Sequence, residues 1–195
     1  MSCAQAYDQM YKHLGWPVPK KVAQLANELN VPKDAAIIDI CAGTGLVAEE
    51  LKEMGYTNID AHDGSEVMLD AARPKNLYNN FFCQYFNTVA DVGNDIRERY
   101  DIVVASGGIG LNQMPHDAFD ILKAMAVPGG YIVFSIGEWN LTDYGYGDAL
   151  RKVDRSGEWS RIKQVSIPKY TNMDEDSPGK FKPTNEMIFV YKKHE

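Results

Sequence analysis

Ile37-Ile38-Asp39-Ile40-Cys41-Ala42-Gly43-Thr44-Gly45-Leu46 decides the fold: an apolar run meets a cluster of small residues and opens into Leu46–Met54, which has helical spacing. Small residues at such a turn let the backbone approach a ligand closely, and the helix that follows offers N–H groups with no partner inside it. The local shape is a nucleotide-type cradle. Outward from it, Ala36–Ile40, Asn58–His62, Phe81–Phe86, Ile102–Ala105 and Tyr131–Ile136 read as strands, with Leu46–Met54, Ser65–Ala72 and His116–Ala126 as amphipathic helices. Gly55 ends the first helix, and Pro128-Gly129-Gly130 makes a turn after the last. Alternating strands and helices predict an α/β fold with a mostly parallel sheet, helices on both faces and right-handed crossovers. Arg161–Lys169 and Glu186–Lys192 break the rhythm. Only a polar loop joins them, so an antiparallel pair at the C-terminal sheet edge is expected.

The chain of 195 residues suits one domain, since domains run to roughly 100–200 residues. Residues 1–195 divide into a helical lead-in (1–30, broken at Gly15-Trp16-Pro17-Val18-Pro19), a cofactor-binding core (36–136) and an acceptor-side segment with edge strands (137–195). A formal net charge of -7 speaks against a nucleic-acid surface, which needs clustered Lys and Arg. Cys3, Cys41 and Cys83 show no CxxC pairing and the first twenty residues form no apolar signal segment, so a reducing, cytoplasmic setting is expected. No apolar run approaches the roughly 18 residues that cross a bilayer, and no membrane partner is expected. The sequence does not define an oligomeric state.

Gly-x-Gly alone does not choose a ligand, because Gly43-x-Gly45-x-x-Ala48 also satisfies a permissive dinucleotide fingerprint. Two carboxylates narrow the choice. Asp63, eighteen residues after Gly45, ends the second strand where a carboxylate accepts from both hydroxyls of a ribose. Asp39, four residues before Gly43, stands where a dinucleotide enzyme continues its apolar strand. It would repel a pyrophosphate and suits the ammonium and sulfonium of S-adenosylmethionine.

With these residues in view, the chain resembles the class I methyltransferase family. The resemblance rests on Asp39-Ile40-Cys41-Ala42-Gly43-Thr44-Gly45, with Cys41 in the place of a first glycine. It continues through His62-Asp63-Gly64-Ser65 with Met68-Leu69 and Ala71-Ala72, then Tyr100-Asp101-Ile102-Val103-Val104, then Val127-Pro128-Gly129-Gly130-Tyr131. Four motifs in order cover about residues 5–136, and the final strand pair is similar to the family's reversed sheet end, which implies a Rossmann-like seven-stranded sheet. Within the family the chain looks most like the small Williams–Beuren-region methyltransferase-like proteins. The resemblance implies S-adenosyl-L-methionine as cofactor and S-adenosyl-L-homocysteine as product. It implies that Asp39 acts from behind the loop, that Ala42, Gly43 and Gly45 line the methionine end, and that Asp63 takes the ribose. Gly64, Ser65 and Met68 would then lie beside the adenosine, Tyr85, Phe86 and Asn87 beside the adenine, and Ser106 to Gly108 at the reacting methyl.

Plainer readings stand beside these. Asp63 can serve a turn, Ser65 can cap the next helix, and Met68 can be core. Cys41 reads as packing, since no base is placed beside it. The histidines show no ligand spacing, so no metal is expected; His116, near the presumed reaction zone, is the one candidate for catalysis. Tyr7, Tyr11, Trp16, Trp139, Tyr144 and Tyr146 could wall an acceptor site. If the acceptor is a hydroxyl or thiol, His116, Tyr144 or Glu138 could take its proton. Ala105-Ser106-Gly107-Gly108 is not the Asn/Asp-Pro-Pro-aromatic motif of adenine and glutamine methyltransferases. A small-molecule methyl acceptor and metal-independent in-line transfer are therefore expected. A non-catalytic adenosylmethionine-binding partner subunit and a nicotinamide-dependent oxidoreductase are the alternatives.

Overall fold

The computed structural model describes residues 3–172 and 184–195. Among them, strands β1 (Ile37–Ile40), β2 (Ile59–Asp63), β3 (Phe81–Cys83), β4 (Tyr100–Ile109), β5 (Ala126–Gly137), β6 (Trp159–Pro168) and β7 (Asn185–Lys193) form one sheet in the order β3-β2-β1-β4-β5-β7-β6. Pairing is parallel from β3 through β5 and antiparallel from β5 to β7 and β6, as the sequence pattern implies. The helices are α1 (Cys3–Leu14), α2 (Val18–Asn27), α3 (Leu46–Glu53), α4 (Glu66–Ala72), α5 (Ala118–Met125), α6 (Glu138–Asp143) and α7 (Tyr146–Ser156).

Side chains of β1 alternate between two cores. Ile37 packs with α2, α3 and α4, while Ile38 and Ile40 pack with α5 and α7. Both faces are covered, so the inner strands are buried and mostly apolar, with Asp39, Asp60 and His62 among the buried polar exceptions. Chain order reverses between β1 and β4, and a crevice opens there beyond the carboxyl ends of the strands.

Several boundaries differ from the sequence pattern. β3 stops at Cys83, so Phe86 is a buried loop residue. β4 and β5 are longer than their apolar centres because pairing continues at both ends, and Pro128-Gly129-Gly130 lies within β5. There the register jumps from Tyr100↔Ala126 to Ile102↔Tyr131. The chain bulges outward over these residues, with Gly129 at φ +76. Helices α6 and α7 were not anticipated. Tyr146, Leu150 and Val153 fall on one buried face of α7 at helical spacing, but the glycines and tyrosines ahead of them mask the start.

Buried Asp60 ties β2 to β4 and to the residue that precedes β3. It accepts from the Tyr100 hydroxyl at 2.9 Å, the Asn80 backbone N–H at 3.1 Å and the Asn80 side-chain amide at 2.9 Å. Tyr100→Phe removes one donor to a buried carboxylate and leaves the carboxylate in place. We expect a loss of about 1–3 kcal/mol in chemical unfolding, with the fold retained by circular dichroism.

Candidate functional site

The turn after β1 is built from left-handed backbone. Cys41 lies at φ +56, Gly43 at +56 and Gly45 at +95, and the Ala42 N–H donates to the His62 carbonyl at 3.0 Å. A Cβ on Gly45 would meet Leu77 at 2.8 Å, so glycine is required there by conformation and by space. Asp63, at the end of β2, binds this turn to the next. Its Oδ2 accepts from the Gly43 N–H at 2.8 Å and its Oδ1 from the Ser65 N–H at 2.8 Å. Ser65 precedes α4 without a capping hydrogen bond from its side chain.

A cleft of about 470 Å³ opens over these turns. Gly43, Asp63, Gly64, Ser65 and Met68 line one part of it, Tyr85 and Phe86 its β3 side, and Ser106 and Gly107 its β4 side. With Gly108, which also lines it, ten of the residues assigned to the cofactor from sequence share one cavity. Ala42 and Gly45 shape the turn from outside the lining, and Asn87 turns away, its N–H donating to Asp91 at 2.8 Å. His116 does not reach the cleft. Its Nε2 lies 2.6 Å from the Tyr144 carbonyl oxygen, and its ring packs on Tyr146 beside a separate groove between α5 and α7. Tyr7, suggested from sequence as part of an acceptor wall, also lies in the lining; sequence reasoning missed Gln84 and Asn112–Met114, read Cys41 as packing and gave His62 no ligand role. Gly107 is held by a relay: its N–H donates to Ser135 Oγ at 2.9 Å, and that hydroxyl donates to buried Glu186 of β7 at 3.1 Å.

Asp39 stands behind the loop, 1 % exposed, with Oδ2 accepting from the Tyr78 hydroxyl at 2.7 Å and Oδ1 unpartnered. Burial pushes its carboxyl up to about 7; the Tyr78 bond opposes this and the nearby Asp63 charge adds to it. The Cys41 thiol is pushed up to about 12 by burial, helped by Asp63 and Asp39, so it is not a nucleophile at neutral pH.

Helix α1 covers the glycine turn. Asp8 accepts from Thr44 of the turn, and Lys75 bridges Asp8 at 3.1 Å and Glu49 of α3 at 2.7 Å. Tyr7 reaches the cleft and begins an aromatic row: Tyr7–Tyr11 and Tyr11–Trp16 each have centroids 4.5 Å apart. Trp139 pairs with Tyr144 instead, and Tyr146 donates to the Met114 carbonyl at 2.7 Å, so the suggested aromatic wall is divided. The Thr171 N–H donates to Gly15 O at 2.9 Å and the Asn172 N–H to Leu14 O at 3.1 Å, which pins the elbow between α1 and α2 to the end of the β6 hairpin arm. Residues 173–183, part of the segment expected on the acceptor side, lie outside the described residues.

A Rossmann-like sheet in this order, with a glycine turn and a strand-end carboxylate sharing one cleft, has the architecture of a class I methyltransferase domain. A family model described as a methyltransferase domain matches residues 11–174, and the chain belongs to that family. It is 26% identical over 169 residues to Methyltransferase-like protein 27 of Homo sapiens, covering 82% of this chain and 66% of that protein. It is 28% identical over 109 residues to a ubiquinone biosynthesis O-methyltransferase of Shewanella pealeana, covering 55% of this chain and 46% of that one. The chain thus spans less than two thirds of either relative. A crystal structure of an S-adenosylmethionine-dependent methyltransferase from Clostridium acetobutylicum shares the fold, with a TM-score of 0.68 at 15% identity and full coverage of both chains. The family's cofactor is S-adenosylmethionine, and the residues present fit it. The cavity has ligand size. A carboxylate has about four acceptor positions, so Asp63 keeps room for two ribose hydroxyls beside its two N–H bonds. No Lys or Arg lines the described cleft to repel a sulfonium.

Substitutions at two positions test this geometry. An unfolded chain gives Asp39 its ordinary low pKa, so the folded protein holds more protons between about pH 4 and pH 7. Stability therefore falls as pH rises through that window, and the cost is fully present above it. Asp39→Asn should be more stable than wild type at pH 8 by on the order of 2 kcal/mol, with the difference vanishing near pH 4; thermal melts across pH measure it, and an equal gap at every pH would refute the assignment. At Cys41 the left-handed backbone disfavours a branched side chain. Cys41→Val should lose more than about 2 kcal/mol in urea unfolding, while Cys41→Gly stays within about 1 kcal/mol of wild type.

Proposed function

We propose that this chain transfers the methyl group of S-adenosylmethionine to a small, uncharged or cationic acceptor by direct in-line displacement, without a metal ion. The carrying observation is the charge of the cleft: among its described lining residues Asp63 is the one formally charged side chain, and no Lys or Arg is present to bind a phosphate or carboxylate on an acceptor. Among the described residues no group of three His, Cys, Asp or Glu stands together to hold a metal. Within the family we place the chain near Methyltransferase-like protein 27, a reading supported by the 26% identity.

The bound cofactor supplies an activated methyl group, so the protein's work is alignment and exclusion of water. Asp63 orients the ribose and Gly43 lets the backbone come close. Asp39 stabilises positive charge from behind the turn, and Ser106 and Gly107 border the reacting end. Tyr7 and α1 cover the cleft. Three titratable groups in the lining, Tyr7, Cys41 and His62, are poor bases at neutral pH. Burial raises the Tyr7 phenol, with Tyr11 and Asp63 adding to the shift, Cys41 is held at about 12, and burial lowers His62 to about 4. His116 lies outside the lining, as do Tyr144 and Glu138. The favoured acceptor atom therefore carries its own available lone pair, as a neutral amine does.

Calorimetric titration of the purified chain with S-adenosylmethionine, S-adenosylhomocysteine and NADPH tests the reading. Both adenosyl compounds should bind and NADPH should not, and Asp63→Ala should weaken adenosyl binding at least about tenfold. Binding of NADPH alone would overturn it. In acceptor screens, kcat/KM should follow the ionisation of the acceptor itself.

A further inference from the structure

Three large apolar side chains stand partly in solvent at the carboxyl end of the sheet: Leu111 is 45 % exposed, and Trp139 and Tyr144 are 38 % each. Leu111 lies in the turn after β4, while Trp139 lies in the first turn of α6, which follows β5, and Tyr144 closes that helix. Buried Asn140 joins the two segments, its Oδ1 accepting from the Leu111 N–H at 3.2 Å. The Trp139 and Tyr144 rings meet edge to face, 5.5 Å between centroids. The turn itself is held firmly: the Gln113 N–H donates to Gly110 O at 3.0 Å, the Met114 N–H to Gly108 O at 3.1 Å and the Gln113 side-chain amide to Gly107 O at 2.7 Å. Leu111 is thus held in water by the shape of its turn. Single exposed apolar residues are ordinary, but an apolar patch that continues a ligand cleft marks a binding surface. This patch does continue it, since Asn112, Gln113 and Met114 of the same turn line the cleft beside Gly107.

The charges around the patch are negative. Glu138 and Asp143 flank it in sequence, both exposed, and Glu138 accepts from the neutral Asn185 side-chain amide at 3.4 Å. From residue 100 to residue 150 the one lysine or arginine is Lys123, in the last turn of α5 toward the other end of the sheet, held by Asp120 and Glu158. Arg151 and Lys169 on the adjoining elements are paired with Asp148 and Glu186. We propose that the methyl acceptor is an amine with an apolar body, its nitrogen at the Gly107 end of the cleft and its aromatic or alkyl body along Leu111, Trp139 and Tyr144. This assignment rests on the S-adenosylmethionine reading above. The carboxylates draw the amine in as its ammonium ion, and the aromatic faces accommodate that charge. After the ammonium loses a proton to solvent, the nitrogen lone pair forms the new N–C bond while the methyl C–S bond breaks, and the electron pair of that bond stays on sulfur. The product leaves as a methylammonium ion, so the cleft needs no base. The same carboxylates repel an anionic lipid surface, and a second copy of the chain would set like charge against like.

The test uses phenylethylamine, ethylamine and the anion phenylpropionate as probes. Methyl transfer gives kcat/KM per neutral amine, and calorimetry with saturating S-adenosylhomocysteine gives the affinity of each probe. Wild type should prefer phenylethylamine to ethylamine by at least about tenfold in kcat/KM and should not bind phenylpropionate. Leu111→Ser and Trp139→Ser should each cut that preference by about threefold or more, with the affinity for S-adenosylhomocysteine and the rate with ethylamine unchanged. Ile162→Ser, at an exposed position of β6, should alter none of these. A preference that survives both variants would put the apolar body elsewhere, and equal binding of phenylpropionate would remove the role of charge. A wild type that binds S-adenosylhomocysteine but methylates neither amine would exclude the substrate class, and a dimer in sedimentation that Leu111→Ser breaks would give the patch to a second copy. Each of these results overturns the proposal. If S-adenosylhomocysteine itself does not bind, the cofactor reading falls, a result distinct from failure at the patch.

Discussion

The site depends on one carboxylate. With one oxygen on the Gly43 N–H and the other on the Ser65 N–H, Asp63 fastens the turn after β1 to the turn after β2. Both turns lead into helices, so their unpaired amide groups would otherwise compete for water or ligand. Charge-assisted bonds to backbone amides are about twice as strong as neutral ones, which lets a single side chain fix the spacing of two strand ends. The cleft follows from that spacing. Loss of Asp63 would disturb the floor as well as a ribose contact.

Most of the fold was legible because its signals are local. Apolar runs of the inner strands, the Gly43–Gly45 turn and the final strand pair each announce themselves within a few residues. Ten residues assigned to the cofactor from sequence meet in the cleft because strand order places their turns together. What escaped depends on direction in space. His62 and Asp63 are neighbours in sequence, yet strand alternation sends them to opposite faces, and His62 alone is nearly shut off from water. Tyr78 reaches Asp39 from 39 residues away and carries no motif. His116 belongs to the correct sheet end by topology, but its ring turns toward α7.

Charge in this domain is managed by position. Buried carboxylates Asp39, Asp60 and Glu186 each sit behind or beside a strand end with a hydroxyl donor: Tyr78, Tyr100 and Ser135. Lysine and arginine stay on the outside, where Lys75 clamps α1 and Lys123 bridges Asp120 and Glu158. The cleft lining thus carries one half-buried carboxylate, Asp63, and no lysine or arginine, a setting that favours a cationic ligand over an anionic one.

The bonds from Thr171 and Asn172 to the elbow at Leu14 and Gly15 join positions more than 150 residues apart. Closing so long a loop is slow relative to the local pairing of β1, β2 and β4. During synthesis the floor of the cleft can form from residues 37–108 while the β6 arm is still unmade, so α1 gains its far anchor last. The assembly order leaves the cradle formed before the cover is tied down, so the Thr171 and Asn172 bonds to the elbow are the last to constrain α1.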